Sequence, residues 1–283
     1  MAKRIISAAI AIPLGILIIA INSELLYYIA MTVFSVLAVY ELLVATKYLK
    51  NKLISALSLL FVVITPFVFW IEQLKKHIVL IYFGFLVALF VTMLFKHEKV
   101  RFEQVALVAF ISIGIPLSLS SIAFIRTVFP EHAMFLIVYT MISAWIGDAG
   151  AYFVGTFIGK HKMCPKISPK KTWEGFFGGI ITSGISAVIL CFGYEFIDSM
   201  INGGVHTFSV NWIYLTVLSL VLSVLGVVGD LSASLIKREC SVKDFGNILP
   251  GHGGVLDRFD SVLFVAPFAY MMFKLVFPIV PIA

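Results

Sequence analysis

The sequence predicts an all-α, polytopic integral membrane protein, and three observations support that prediction. Of the 283 residues, 61% are hydrophobic and only 13% are charged, whereas soluble domains carry about 25% charged residues. The apolar residues form long runs, and roughly 17–25 such residues cross a hydrocarbon core of about 30 Å. The basic residues concentrate in alternate loops between these runs, as the positive-inside rule requires of a membrane protein.

About nine apolar runs meet the length criterion for a transmembrane helix. The first begins after Lys3 and Arg4 and has no small-residue cleavage pattern before Glu24. We therefore interpret it as an uncleaved helix rather than a signal peptide. Five runs lie in residues 1–130 and four in residues 131–283. The runs are approximately Ile5–Ile21, Leu25–Thr46, Ile54–Ile71, Ile78–Phe95, Val105–Ile125, Met134–Phe157, Phe176–Phe196, Trp212–Leu235 and Ser261–Ile282.

The distribution of basic residues predicts a cytoplasmic N-terminus. With that orientation, 17 of the 21 Lys and Arg residues fall in loops on one side, and only Lys75, Lys76 and Arg126 fall on the other. The net charge of +6 then faces anionic lipids and anionic substrates. No helix-turn-helix, zinc-finger or aromatic-rich basic pattern favours a nucleic-acid partner.

The acidic residues are distributed unevenly along the chain. The first ~130 residues hold almost no acids inside the apolar runs, with Glu41 the exception. Five of the six aspartates lie in or beside the two long cytoplasmic loops, 158–175 and 237–260. We therefore expect the chemistry in residues 131–283, a catalytic membrane region, with residues 1–130 as its N-terminal frame.

Asp148 interrupts the sixth apolar run. Placing a carboxylate in lipid costs free energy, so a carboxylate at such a position by default marks a function or a buried partner. The alternative is a residue near the helix end that reaches the interface. The neighbouring Gly147, Gly150 and Gly155 are typical of close helix packing in membranes.

The loop after this run ends in Ser-Pro-Lys-Lys-Thr-Trp-Glu-Gly immediately before the next predicted helix. Ser168, Lys170 and Lys171 supply hydroxyl and ammonium donors beside a helix N-terminus, where anions bind readily. We interpret these three residues as phosphate ligands. The alternative is a positive-inside signal with Thr172 as the helix N-cap.

A second polar segment covers residues 229–261. Asp230, Ser234 and Lys237 are spaced four and three apart, and Asp257 and Asp260 three apart, so each set shares a helix face. A glycine-rich loop joins the two sets, and by folding back it could bring Asp230 to Asp257. Paired carboxylates without thiolates or clustered imidazoles suit Mg²⁺. The alternative is that the carboxylates are ion-paired and only hold the loop.

The pattern of residues 234–260 is specific to one family. It resembles the signature of the phosphatidate cytidylyltransferases, also called CDP-diacylglycerol synthases. The likeness extends over about residues 143–261, whereas the N-terminal frame matches only in being hydrophobic. The residues that carry it are Ser234, Lys237, Arg238, Lys243, Asp244, Gly246, Leu249, Pro250, His252, Gly253, Gly254, Asp257, Arg258, Phe259 and Asp260.

This resemblance implies an activity, cofactors and site residues. The reaction is transfer of CMP from CTP to phosphatidic acid, which gives CDP-diacylglycerol and pyrophosphate in phospholipid biosynthesis. The implied enzyme is a magnesium-dependent homodimer, and a second, monovalent cation such as K⁺ is a further expected cofactor. The family's metal-site aspartates fall on Asp230 and Asp257, with Asp260 beside them, and its lysine on Lys237; Asp148 is expected to assist. The expected substrate-binding residues are Ser168, Lys170, Lys171, Ser234, Arg238, Lys243, His252 and Arg258.

We expect the active site on the cytoplasmic side of a bacterial inner membrane, with CTP, phosphatidic acid and membrane lipids as partners. Two other functions use similar residues. A CTP-dependent lipid kinase would transfer the γ-phosphoryl group to an alcohol, and it would need a base for that hydroxyl. A cation-coupled transporter would show inverted halves with acids near the midplane, whereas here the acids gather at one face.

Overall fold

The structure, a computed structural model, describes residues 13–248, 251 and 253–282. Within these ranges, seven helices are long and apolar enough to cross a membrane. Residues 13–21 are also helical, while residues 5–12 of the predicted first span lie outside the described residues. The seven helices are Glu24–Ala45, Lys52–Trp70, Ile78–Phe95, Phe102–Val128, Ala133–Phe157, Trp173–Ile201 and Trp212–Glu239.

These helices confirm an integral membrane protein and the position of seven predicted spans. The predicted last span, Ser261–Ile282, is only partly helical: its helix runs over Val262–Leu275. That is about 21 Å at 1.5 Å per residue, short of a ~30 Å hydrocarbon core. Pro278 disfavours helical backbone in the residue before it, and Ile279–Pro281 form a strand instead. The number of nine spans and the cytoplasmic N-terminus stay predictions.

The remaining elements are short, and they make the fold nearly all-α rather than purely helical. In one antiparallel hairpin, Lys162 pairs with Thr172 and Cys164 with Ser168. In the second pair of strands, Val210 lies opposite Ile279. The strands are Lys162–Cys164, Ser168–Thr172, Phe208–Val210 and Ile279–Pro281, and the other short helices are Tyr48–Lys50 (3₁₀), Glu72–Lys75 and Leu256–Phe259.

The chain divides into two compact units. The first contains the residues up to Thr127 together with Lys237–Phe259, and the second contains Val128–Ile236 together with the residues from Asp260 onward. The predicted division near residue 130, into a frame and a catalytic region, is a functional one and stays a prediction.

Aromatic and hydroxyl contacts hold the first unit together. Phe61 stacks on Phe85 with ring centroids 3.9 Å apart. Ser58 and Ser112 share a buried hydrogen bond of 2.6 Å, so two helices are joined by a polar contact where lipid offers none. Phe259, at the end of the returning segment, packs on Phe34 at 4.8 Å.

Glycines set the spacing of two helices in the second unit, Ala133–Phe157 and Trp173–Ile201. A Cβ added at Gly179 would lie 2.6 Å from the carbonyl oxygen of Gly147. A Cβ at Gly175 would lie 3.1 Å from the Cα of Gly155, and one at Gly150 would collide with Thr182. The close packing predicted for the glycines around Asp148 is therefore confirmed.

Candidate functional site

In the first unit, a buried ion pair joins Lys237 to Asp257. Lys237 Nζ donates to Asp257 Oδ1 at 2.9 Å, and the two side chains are 14% and 4% exposed. The other carboxylate oxygen accepts backbone N–H groups from Phe245 at 2.9 Å and Gly254 at 3.0 Å. Asp257 thus holds both ends of the segment 245–254 to the end of the Trp212–Glu239 helix.

A second carboxylate, that of Glu41, binds the backbone that follows this segment. Glu41 is 2% exposed, and its two oxygens accept the N–H groups of Val255 and Leu256, each at 2.9 Å. Gly246 and Gly254 lie against this carboxylate so closely that a Cβ on either would collide with it. These contacts fix the backbone immediately before Asp257.

Glu41 was not among the predicted site residues, although its position was a signal. A carboxylate in an apolar run needs a partner. Here the partners are two backbone N–H groups from the far end of the sequence, those of Val255 and Leu256. The sequence indicated a buried acid but not what it binds.

In the second unit, Lys171 meets Asp230. Lys171 lies on the strand Ser168–Thr172, and its Nζ is 2.6 Å from Asp230 Oδ2. The Nζ atom of Lys171 is buried, so Asp230 balances its charge away from bulk water. Ser234 donates to Asp230 Oδ1 at 3.4 Å, which confirms that the two residues share a helix face.

Asp148 lies near the same pair. Ser261 Oγ donates to Asp148 Oδ2 at 2.7 Å, and Asp148 interacts electrostatically with both Asp230 and Lys171. Asp260 is buried, and its Oδ1 accepts the N–H of Ser261 at 2.8 Å. Asp148 therefore has a buried partner, Ser261, and its functional role stays a prediction.

Thr172 caps the helix that follows the hairpin, since its side chain accepts the N–H of Gly175 at 3.2 Å. The predicted N-cap is confirmed. The N-cap does not test whether Ser168, Lys170 and Lys171 bind phosphate, and that interpretation stays a prediction. Lys170 is exposed on the hairpin, while Lys171 is turned toward Asp230.

The remaining predicted substrate-binding residues differ in whether the structure describes them. Arg238, Lys243 and Arg258 have exposed side chains. His252 lies outside the described residues.

Two of the three carboxylates that were predicted to hold magnesium, Asp230 and Asp257, are ion-paired in the structure. Lys171 lies beside Asp230 and Lys237 beside Asp257. Across the described ranges, no group of three or more His, Cys, Asp or Glu side chains is arranged to hold a metal ion. Asp230 and Asp257 belong to different units, so their joint ligation of magnesium stays a prediction.

Comparison with known proteins points to one family. The sequence profile of the Cytidylyltransferase family matches residues 2–276. A protein named phosphatidate cytidylyltransferase from Bacillus subtilis is 36% identical over 97% of this chain and 98% of its own length. Proteins of the same name are 47% identical in Staphylococcus haemolyticus, over 46% of each chain, and 44% identical in Haemophilus influenzae, over 49% of this chain and 46% of the relative.

Proposed function

This chain belongs to the cytidylyltransferase family, and we propose that it transfers the cytidylyl group of CTP to phosphatidic acid, giving CDP-diacylglycerol and pyrophosphate for phospholipid biosynthesis. The observation that carries the proposal is the buried Lys237–Asp257 pair, whose carboxylate also accepts the backbone N–H groups of Phe245 and Gly254. The pair holds the Lys237 ammonium in a fixed position, and positioned ammonium groups stabilise the phosphate charge during transfer of a phosphorylated nucleotide.

The bond changes balance without an added acid or base. A phosphate oxygen of phosphatidic acid attacks the α-phosphorus of CTP, and the bond from that phosphorus to the α–β bridging oxygen breaks. Pyrophosphate leaves with the electron pair. Because the attacking phosphate is already ionised near neutral pH, no residue has to remove a proton from it.

Lysines neutralise the phosphate charge in this mechanism. Lys171 supports that role, since its buried ammonium contacts one carboxylate oxygen of Asp230 at 2.6 Å. An ammonium group has three donors, so donors remain for phosphate oxygens. Lys237 has a hydrogen bond to Asp257 and lies 5.4 Å from the ring centroid of Phe245, which fixes its direction.

Asp148, Asp230, Asp257 and Asp260 fit a hard cation by the chemistry of their oxygens. Asp230 and Asp257 would hold magnesium, with Asp260 beside them, and a monovalent ion such as K⁺ is the second candidate. When bound, magnesium would neutralise phosphate charge and polarise the α-phosphorus. Lys171 and Lys237, 2.6 and 2.9 Å from Asp230 and Asp257, would have to share these carboxylates with the metal ion.

The proposed setting is a homodimer in the bacterial inner membrane, with the N-terminus and the site on the cytoplasmic side. The basic loops support the orientation, and the relatives named above come from bacteria. The homodimer is implied by the family resemblance alone.

Pyrophosphate release by the purified protein tests the proposal. We expect release from CTP that requires both phosphatidic acid and magnesium and that is lost in Asp257→Asn. Glu103→Gln, which alters an exposed carboxylate, is the matched control and should retain activity. Release that proceeds without phosphatidic acid, or that survives in a folded Asp257→Asn protein, would contradict the assignment.

A further inference from the structure

A basic cavity of about 980 Å³ lies in the first unit, formed by two loops that the proposed mechanism does not use. This volume is at the upper end of the range of about 300–1,000 Å³ for small-molecule sites. Its walls come from residues 47–52 and 95–104 alone. The lining residues are Lys47, Tyr48, Lys50, Asn51, Lys52, Phe95, Lys96, His97, Glu98, Lys99, Arg101 and Gln104.

The charge of the basic cavity is strongly positive and uncompensated. Five lysines and Arg101 line the cavity, and Glu98 is the one carboxylate among the lining residues. With His97 neutral, the net charge of the lining is +5. In the described part of the chain, none of these six cations forms an ion pair. The positive-inside rule explains cations in these loops, but it does not require two separate loops to direct them into one cavity.

The backbone supports this convergence. Lys47 adopts a left-handed conformation, with φ of 64°, which a residue with a side chain rarely occupies. The turn directs the chain from the end of the Glu24–Ala45 helix into the 3₁₀ turn Tyr48–Lys50. Lys47 and Lys50, on either side of Tyr48, both line the cavity.

The basic cavity lies at the ends of three candidate membrane spans. Its residues include the first residue of one candidate span, Lys52, and the last residue of another, Phe95. Arg101 immediately precedes a third span, which begins at Phe102. Since the ends of spans lie at the membrane–water interface, the phosphates of membrane lipids lie level with these cations.

An apolar surface continues from the cavity along the Ile78–Phe95 helix. Only Phe85, Leu89 and Thr92 of that helix are buried. Phe95, which lines the cavity, is 84% exposed, and the preceding Leu94 is 69% exposed. A ligand with a phosphate at one end and acyl chains at the other would satisfy both the charge of the cavity and this apolar face.

We infer that the basic cavity binds the phosphate headgroup of an anionic phospholipid, with the acyl chains along the Ile78–Phe95 helix. This site is separate from the residues assigned to cytidylyl transfer. Inorganic phosphate or a nucleotide offers the same charge, but neither would use the exposed apolar face.

Native mass spectrometry of the purified protein in neutral detergent tests this site with phosphatidylglycerol, and phosphatidylcholine is the uncharged comparison. CTP and magnesium are left out. The phosphate of phosphatidylglycerol is a diester and cannot accept a cytidylyl group by the proposed reaction, so the result does not depend on the proposed function.

We expect phosphatidylglycerol to bind more tightly than phosphatidylcholine, and Lys50→Gln/Lys99→Gln to lower its affinity about 25-fold, or roughly fivefold for each cation removed. The matched control is Lys75→Gln/Lys76→Gln, which removes two exposed cations from another loop and should change the affinity by less than about twofold. Lys50→Arg/Lys99→Arg keeps the charge and should bind as the native protein does, which also tests the site if the glutamine variant fails to fold.

Three results would overturn the inference. One is an equal loss of affinity in the cavity variant and the control, and another is a loss in the arginine variant. The third is displacement of phosphatidylglycerol by inorganic phosphate that binds equally well, since the ligand would then be a free phosphate.

Discussion

Replacing Glu41 by glutamine tests how the segment before Asp257 is held. Both carboxylate oxygens of Glu41 accept backbone N–H groups, from Val255 and Leu256, and the side chain is 2% exposed. Glutamine has almost the same shape but keeps one acceptor oxygen. Its amide NH₂ must face one of the two N–H donors.

The free-energy cost of Glu41→Gln follows from the hydrogen bond that is lost. A buried N–H without an acceptor costs about 1–3 kcal/mol, and the remaining bond loses the strength that the charge of the carboxylate gave it. Because the lost contact holds one segment, we expect local opening of residues 245–256 to become more favourable by that amount. This corresponds to roughly 5- to 150-fold faster amide exchange there.

Hydrogen–deuterium exchange with mass spectrometry measures the opening directly. Glu41→Gln should speed exchange in peptides from the 245–256 segment while leaving the Ala133–Phe157 helix unchanged. We also expect pyrophosphate release to fall by about 10- to 100-fold, because small displacements of a catalytic group cost that much. Glu103→Gln, at an exposed position, is the matched control.

The reasoning fails if exchange in the segment is the same in Glu41→Gln and in the native protein. It also fails if exchange rises equally throughout the molecule, because the effect would then be global destabilisation. Faster exchange in the segment with full activity would show that the position of Asp257 does not limit the reaction.

Three further changes have outcomes set by the structure. Gly179→Ala places a Cβ 2.6 Å from a carbonyl oxygen and should lower the stability of the protein by about 1–3 kcal/mol. Gly193→Ala, where the Cβ would lie in open space, should not lower it, and thermal unfolding compares the two variants. Burial lowers the pKa of His132, so the folded state binds fewer protons than the unfolded state just below about pH 6.5. Stability should therefore fall as the pH drops from about 7 to about 5.5, and less so in His132→Gln. Lys171→Met removes the cation beside Asp230 and should lower kcat/KM for pyrophosphate release by about tenfold or more.

Each of these predictions has a contradicting result. Equal unfolding temperatures for the two alanine variants would show that the helix pair can separate without cost. A His132→Gln protein with the native pH dependence would assign that dependence to other groups. Full activity in a folded Lys171→Met protein would remove this lysine from the phosphate-binding set.

The helices were predictable because lipid imposes one requirement on every span. A run of apolar residues long enough to cross the bilayer is visible in the sequence without knowledge of its neighbours. The last predicted span shows the limit of that reasoning. Its apolar composition continues to Ile282, but Pro278 and pairing with Phe208–Val210 end the helix and form a strand. Composition does not reveal a strand partner that lies so far back in the sequence.

The candidate site was predictable where its contacts are local. Thr172 caps its own helix, and Ser234 binds Asp230 one turn away; both follow from spacing. The partners of Asp257 and Glu41 depend on the path of an irregular loop, and Glu41 lies near the opposite end of the chain from the N–H groups that it binds. A single sequence has no periodicity that encodes such a contact.

The position of the transferred phosphorus tests the central claim most directly. CTP labelled with radioactive phosphorus at the α position is incubated with the purified protein, phosphatidic acid and magnesium, and the lipid is extracted. Cytidylyl transfer predicts that the α label enters the lipid as CDP-diacylglycerol and that a γ label leaves as pyrophosphate. A lipid that carries the γ label and no α label would contradict the account, because the protein would then be a phosphoryl-transferring kinase.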